Sequence, residues 1–198
     1  MPEPHSLPEV LSANVHEQRF PGDLIEVCFA TEDLQRTMEG MLRLGIGPWR
    51  VYTFDGSTVT DREYGGEPAD WGLKVAFADV GDIAFELMQP LYGPSIIREF
   101  LDTSGEGVHH IAFDCGETAW DSRAEEFGRR GFPCSRAGRF MDSNAFAFFD
   151  TAGATTTTTT TTFETYTIPQ GFVWPEPEMW FPAPPPVGEA PPVREQRN

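Results

Sequence analysis

Four ionisable side chains sit in the middle of stretches that alternate like β-strands, where they could act together on a cation or a proton. Between Leu24 and Ala30, the residues Ile25, Val27 and Phe29 alternate with Glu26, Cys28 and Ala30, the period-two pattern of a strand with two unlike faces. Phe85 and Leu87 flank Glu86, and Ile111 and Phe113 mark the face opposite His110. Glu164, between Phe163 and Thr165, is placed comparably. With the apolar faces under helices, Glu26, Glu86, His110 and Glu164 project into one concavity. Desolvating a carboxylate there costs several kcal/mol unless it is paired or bound to a cation. A divalent metal resolves that cost, because hard and borderline ions accept mixed imidazole and carboxylate ligands at about 2.0–2.2 Å. The plainer alternative, a solvated strand face, applies most to Glu26.

The elements that must position these groups come in two similar runs. After the first strand, Thr31 reads as the cap of a helix with Leu34, Met38, Met41 and Leu42 on one stripe, stopped at Gly45. Strands follow at Trp49–Phe54, Leu73–Ala78 and Ile83–Met88, with a tight turn at Val80–Asp82 and a polar, Gly-containing loop over Asp55–Trp71. A short helix around Ile96–Leu101 leads to a strand at Val108–Cys115, and then the order repeats. Thr118 and Asp121 read as the start of a helix with Trp120, Ala124 and Phe127 on one face, stopped at Gly131. Further strands lie at Ser135–Phe140, Ala145–Phe149 and a segment ending at Tyr166. Both halves spell strand, helix, strand, strand, strand, an internal repeat. The expected fold is α+β: two tandem βαβββ modules, residues 23–104 and 105–168, forming a curved mixed sheet or half-barrel around a central cavity. A lead-in (1–22) precedes them and a Pro-rich tail (169–198) follows.

Other residues have plainer readings. Within the last strand segment, eight consecutive threonines, Thr155–Thr162, give neither face an apolar identity and specify register poorly. Trp174, Trp180 and Phe181 predict that the start of the tail packs on the body, with disorder beyond about Ala183. Cys28 and Cys115 read as small core residues, and His109, pointing away from His110, as structural. Asp114 and Met88 are candidates to line the cavity. Trp49, Tyr64, Trp71 and Phe140 either shape a pocket or fill core. Gly105 and Gly107 read as turn glycines.

Bulk properties narrow the function. A formal charge of -17 over 198 residues opposes nucleic acid or an anionic membrane surface as the main partner. Lys74 is the single lysine, so Schiff-base chemistry is disfavoured. Three cysteines in no metal-like or paired spacing fit a reducing cytoplasm, and no apolar run reaches signal-peptide or membrane-spanning form.

The stretch GDIAFELMQPLYGPSIIREFLDTSGEGVHHIAFDC, Gly81–Cys115, and FETYTIPQGF from Phe163 resemble the vicinal oxygen chelate superfamily, which includes glyoxalase I, extradiol dioxygenases, bleomycin-resistance proteins and, in the branch most similar here, methylmalonyl-CoA epimerase. The resemblance runs from about Asp23 to Tyr166. It implies a glyoxalase-like fold with metal ligands on the first and last strands of each module, here Glu26, Glu86, His110 and Glu164. Glu26 stands where many relatives have His or Gln, so the site is unusually anionic. The implied cofactor is a divalent ion of the Mn, Co, Mg, Fe, Ni or Zn set. The implied activity is a metal-dependent isomerase, epimerase or lyase acting on a small oxygenated carbonyl substrate through an enediolate, with Glu164 as general base and Glu86 next in line. Two alternatives stand beside it: Fe(II) ring cleavage, which usually uses two histidines, and metal-free small-molecule sequestration of the bleomycin-resistance type. Relatives commonly form homodimers, which sets that expectation here.

Overall fold

The computed structural model describes residues 20–114, 119–151 and 161–186. Alternating stretches become strands β1 (Leu24–Ala30), β2 (Trp49–Phe54), β3 (Val59–Tyr64), β4 (Glu67–Pro68), β5 (Gly72–Val80), β6 (Ile83–Tyr92), β7 (Gly107–Asp114), β8 (Cys134–Phe140), β9 (Asn144–Phe149), β10 (Thr162–Tyr166) and β11 (Met179–Phe181). Among the described residues they form one eleven-stranded sheet in the order β11-β2-β5-β6-β1-β7-β10-β9-β8-β3-β4. The two ends are different strands, so the sheet is open and curved rather than a closed barrel.

At its centre the sheet is built twice. β1 pairs parallel with β6, β7 pairs parallel with β10, and β1 meets β7 antiparallel. Outward from this seam, β6-β5-β2 on one side matches β10-β9-β8 on the other. An antiparallel seam between like units is a local two-fold axis, and the register fixes how it maps residues. Glu26 faces Ala112 and Cys28 faces His110, so the axis exchanges Glu26 with His110. Glu86 lies beside Cys28, and Glu164 beside Ala112, so it exchanges Glu86 with Glu164.

The first and last of the three described helices cover the outer face, whereas the middle one packs on the inner side, its Ile97 and Leu101 clustered with Cys28, Ala30 and Met88. α1 (Leu34–Leu42) buries Leu34 and Met38 against Trp49, Val51, Ala76, Ala78 and Leu87, with Phe29 and Phe85 at the margin. Its cap is Asp33, whose carboxylate accepts from the Arg36 amide at 3.0 Å. This corrects the expectation for Thr31, whose hydroxyl lies 2.7 Å from Thr37 Oγ1 and donates to Glu106 at 2.9 Å. α2 (Ile96–Ser104) is capped by Ser95 and buries Ile97 and Leu101. α3 (Trp120–Arg129) buries Phe127, whose ring stacks on Phe149 at 3.9 Å. Ala119 occupies its cap position without a side-chain bond, and Thr118 lies outside the described residues.

The expected loop Asp55–Trp71 instead contains β3 and β4, with β3 pairing antiparallel to β8. Of β3 only Val59 is fully buried, so a mostly wet strand at the sheet margin carried no apolar alternation to read. The β5–β6 turn does form at the expected place, with Val80 opposite Ile83 and Gly81 at φ +60°, a backbone state that glycine adopts at little cost. From the tail, β11 adds antiparallel to β2. Residues 1–19, Cys115, Thr155–Thr160 and 187–198, on which several sequence expectations fall, lie outside the described residues. No described helix is long and apolar enough to cross a membrane.

Candidate metal centre and its cavity

The register lays the candidate groups on two adjacent rungs of the inner face. One rung runs Glu86, Cys28, His110, Thr162 across β6, β1, β7 and β10, and the next runs Ala84, Glu26, Ala112, Glu164. Side chains opposite one another on neighbouring strands share a face. The four sequence candidates therefore meet at the seam: one ligand-type atom from each of Glu26, Glu86, His110 and Glu164 lies within 4.8 Å of every other. Ligands about 2.0–2.2 Å from a shared ion stand at most about 4.4 Å apart, a spacing of the same order as this cluster's.

All four are buried: Glu26 is 3% exposed, Glu86 3%, His110 0% and Glu164 4%. His110 Nε2 lies 3.0 Å from Glu164 Oε2 and 3.2 Å from Glu86 Oε2. Neither contact has the alignment of a hydrogen bond, and all three atoms lack a hydrogen-bond partner. Three convergent, buried, unsatisfied donor atoms are the exception in folded proteins, and they fit a cation bound between them. Burial would lower the His110 pKa, but the Glu164 and Glu86 carboxylates outweigh it and raise it to about 9. Burial raises Glu164 to about 7 against the opposing pull of His110. Cys28 joins Glu86 and His110 in a second cluster of the same tightness. Burial, then the Glu86 charge, push its thiol well above its ordinary value, so it sits as a neutral neighbour.

His109 departs from expectation. In β7, Cys28 faces His110 but Phe29 faces Val108, so His109 is the extra residue of a β-bulge. Alternation fails there, and His109 Nδ1 comes 2.8 Å from His110 Nδ1. Burial, then the neighbouring charges of His110 and Arg136, hold the His109 pKa well below 6.5. It is thus a neutral partner for the ring nitrogen of His110 that faces away from the carboxylates.

The cluster opens into a cavity of about 70 Å³ lined by Phe54, Phe77, Phe140, Phe146, Phe148 and Trp174 among its aromatic members. Met88 also lines it and Asp114 does not. Trp71 lies under the cavity wall, Trp49 packs below α1, and Tyr64 reaches Glu99 instead. Trp174 comes from the tail and contacts Tyr52, Phe77 and Phe140 at centroid distances of 5.6, 5.5 and 5.5 Å. Four polar or charged lining residues escaped the sequence reading, Arg50, Asp79, Arg136 and Asn144. Arg136 shares the period-two face of Phe140 in β8, and that alternation was the available signal.

A model of the Glyoxalase/Bleomycin resistance protein/Dioxygenase superfamily matches residues 26–148. The chain belongs to this superfamily. Among solved structures of similar fold are hypothetical protein BH1468 from Bacillus halodurans C-125, at TM-score 0.56 and 19% identity over 77% of this chain and 98% of that one, and methylmalonyl-CoA epimerase from Mycobacterium tuberculosis, at TM-score 0.53 and 20% identity over 74% and 87%. Streptomyces coelicolor methylmalonyl-CoA epimerase aligns equally well, covering 94% of that chain. Such identities establish the superfamily fold alone. The uncharacterized protein YqjC of Bacillus subtilis is 44% identical over 43 residues, which is 22% of this chain and 31% of that protein.

Proposed function

We propose that this superfamily member is a metal-dependent isomerase or epimerase that moves a proton beside the carbonyl of a small oxygenated substrate. The observation that carries the reading is the set of convergent, unsatisfied atoms on Glu86, His110 and Glu164 at 0–4% exposure. Glu86, His110 and Glu164, with Glu26 completing the set, would hold the ion. When bound, a divalent cation supplies a charge that holds two neighbouring substrate oxygens and steadies negative charge as it develops.

The rest is work for the chain's own groups. Glu164 takes the proton: before an ion binds, burial makes it more basic than an ordinary glutamate, at about 7, and a more basic carboxylate is the better general base. Glu86 is its counterpart across the seam axis and the next candidate to carry a proton. His110 anchors the centre, held by His109. The aromatic walls exclude water and lower the local dielectric, strengthening each electrostatic contact. The aromatic lining alone would also serve a small-molecule binding protein, which is the second reading.

The test is solvent deuterium incorporation at the α-carbon of 2-oxo, 2-hydroxy and acyl thioester compounds, followed by proton NMR. The proposal expects exchange in one class, reduced by about 10²–10⁴ in Glu164→Gln. Binding without exchange in any class would favour the second reading.

A further inference from the structure

The seam axis that pairs Glu86 with Glu164 also pairs two arginines. Arg50 faces Phe77, which faces Glu86; on the other side Arg136 faces Phe148, which faces Glu164. Both arginines line the cavity, yet they differ in one respect. Arg50 is ion-paired with Asp79 at 2.8 Å. Arg136 is 1% exposed, and all three of its guanidinium nitrogens lack a hydrogen-bond partner.

A guanidinium carries five N–H donors and is costly to bury unsatisfied. A purely structural arginine would spend them on backbone carbonyls or a carboxylate. Instead Arg136 lies flat on Trp71, its guanidinium carbon 3.5 Å from the ring centroid, with Phe148 at 5.8 Å. Stacking of this kind holds the guanidinium plane and leaves its donor edge free, the arrangement that receives a planar anion through two parallel bonds. No ion pair joins Arg136 to another described residue, although the Glu164 and Glu86 charges are near enough to oppose the loss of its proton.

We propose that Arg136 is the carboxylate-binding subsite of this cavity, and that the substrate is a short-chain carboxylic acid whose carboxylate pairs with Arg136 while its reacting carbonyl lies against Glu86, His110 and Glu164. The assignment deepens the proton-transfer reading above and rests on it. Its geometry comes from the sheet. Arg136 and Glu164 occupy one rung two strands apart, roughly 10 Å between backbones, and both line the same cavity. The cavity of about 70 Å³ would admit about five waters at roughly 10–15 Å³ each, which suits a compact acid.

The experiment is calorimetric titration of purified full-length protein with malonate and with its uncharged analogue malonamide, on wild type, Arg136→Met and Arg136→Lys, with metal content measured on the same samples. Wild type is expected to bind malonate at least about tenfold more tightly than malonamide. Arg136→Met should lose roughly that factor for malonate alone, Arg136→Lys should fall between, and metal content should be unchanged. Equal affinity of wild type for the two compounds, or undiminished malonate binding by Arg136→Met, overturns the assignment. If Arg136→Met does not fold by circular dichroism, Arg136→Lys decides. Metal content separates the two readings: malonate binding that depends on Arg136 in a metal-free protein sinks the metalloenzyme and keeps the subsite, whereas a metal-loaded protein indifferent to Arg136 does the reverse.

Discussion

His109 Nδ1 and His110 Nδ1 lie 2.8 Å apart on consecutive residues of one strand, a contact that regular β-geometry forbids and the β7 bulge creates. One nitrogen must donate and the other accept. With His109 held neutral, its Nδ1 accepts from His110 Nδ1–H, and that tautomer frees His110 Nε2 to meet Glu86 and Glu164. Such outer partners typically contribute 10–100-fold to metal affinity.

His109→Phe keeps the ring volume and its edge contact with Phe100, at 5.1 Å in the native protein, but cannot accept the proton. Metal affinity should fall by about 10–100-fold, measured by competition with a chromophoric chelator. Unchanged affinity would show that His109 merely fills space.

Metal stabilisation should grow with pH. In the metal-free protein His110 is raised from 6.5 to about 9, so its stabilising effect is full below 6.5 and lost as pH rises through 9. Glu164 is raised from 4.5 to about 7, so its protonated form stabilises below 4.5 and that effect is lost as pH rises through 7. Both groups therefore weaken the metal-free fold across the range from about 5 to 9, while ligand deprotonation favours the ion. The increase in Tm on adding Mn should be larger at pH 8.5 than at pH 6 by differential scanning fluorimetry. A constant increment would mean that neither group titrates on binding.

Trp174→Ala should open the cavity wall and loosen the tail. The side chain is partly exposed, so the cost should fall below the 3–5 kcal/mol of a fully buried tryptophan, at about 2 kcal/mol by urea unfolding. KM for any substrate should rise more than kcat falls. A variant as stable as wild type would show that the tail contributes no packing.

The paired modules were legible because both faces of the central strands carry information. Phe29, Phe85 and Leu87 mark the helix side, which leaves Glu26, Glu86, His110 and Glu164 to the inner side, and two-residue periodicity needs no tertiary knowledge. Three things were hidden for distinct reasons. β3 is mostly wet, so its pattern looks like a loop. His109 sits in a bulge, which breaks the alternation that assigned it outward. Arg136 reads as a surface residue in isolation, and only the stacked Trp71, far away in sequence, explains how it can be buried. The Thr155–Thr162 run gives no register information, and Glu164 falls into place through the pairing of β10 with β7 and β9.

The most direct measurement is metal content by inductively coupled plasma mass spectrometry on protein purified without a tag or chelator, comparing wild type with His110→Ala. About one divalent ion per wild-type chain and little in the variant are expected, since losing one ligand of a four-ligand set sharply weakens binding. A wild-type protein that carries no metal and also fails to take up added Mn, Co, Ni or Zn would mean that Glu26, Glu86, His110 and Glu164 are not a metal site.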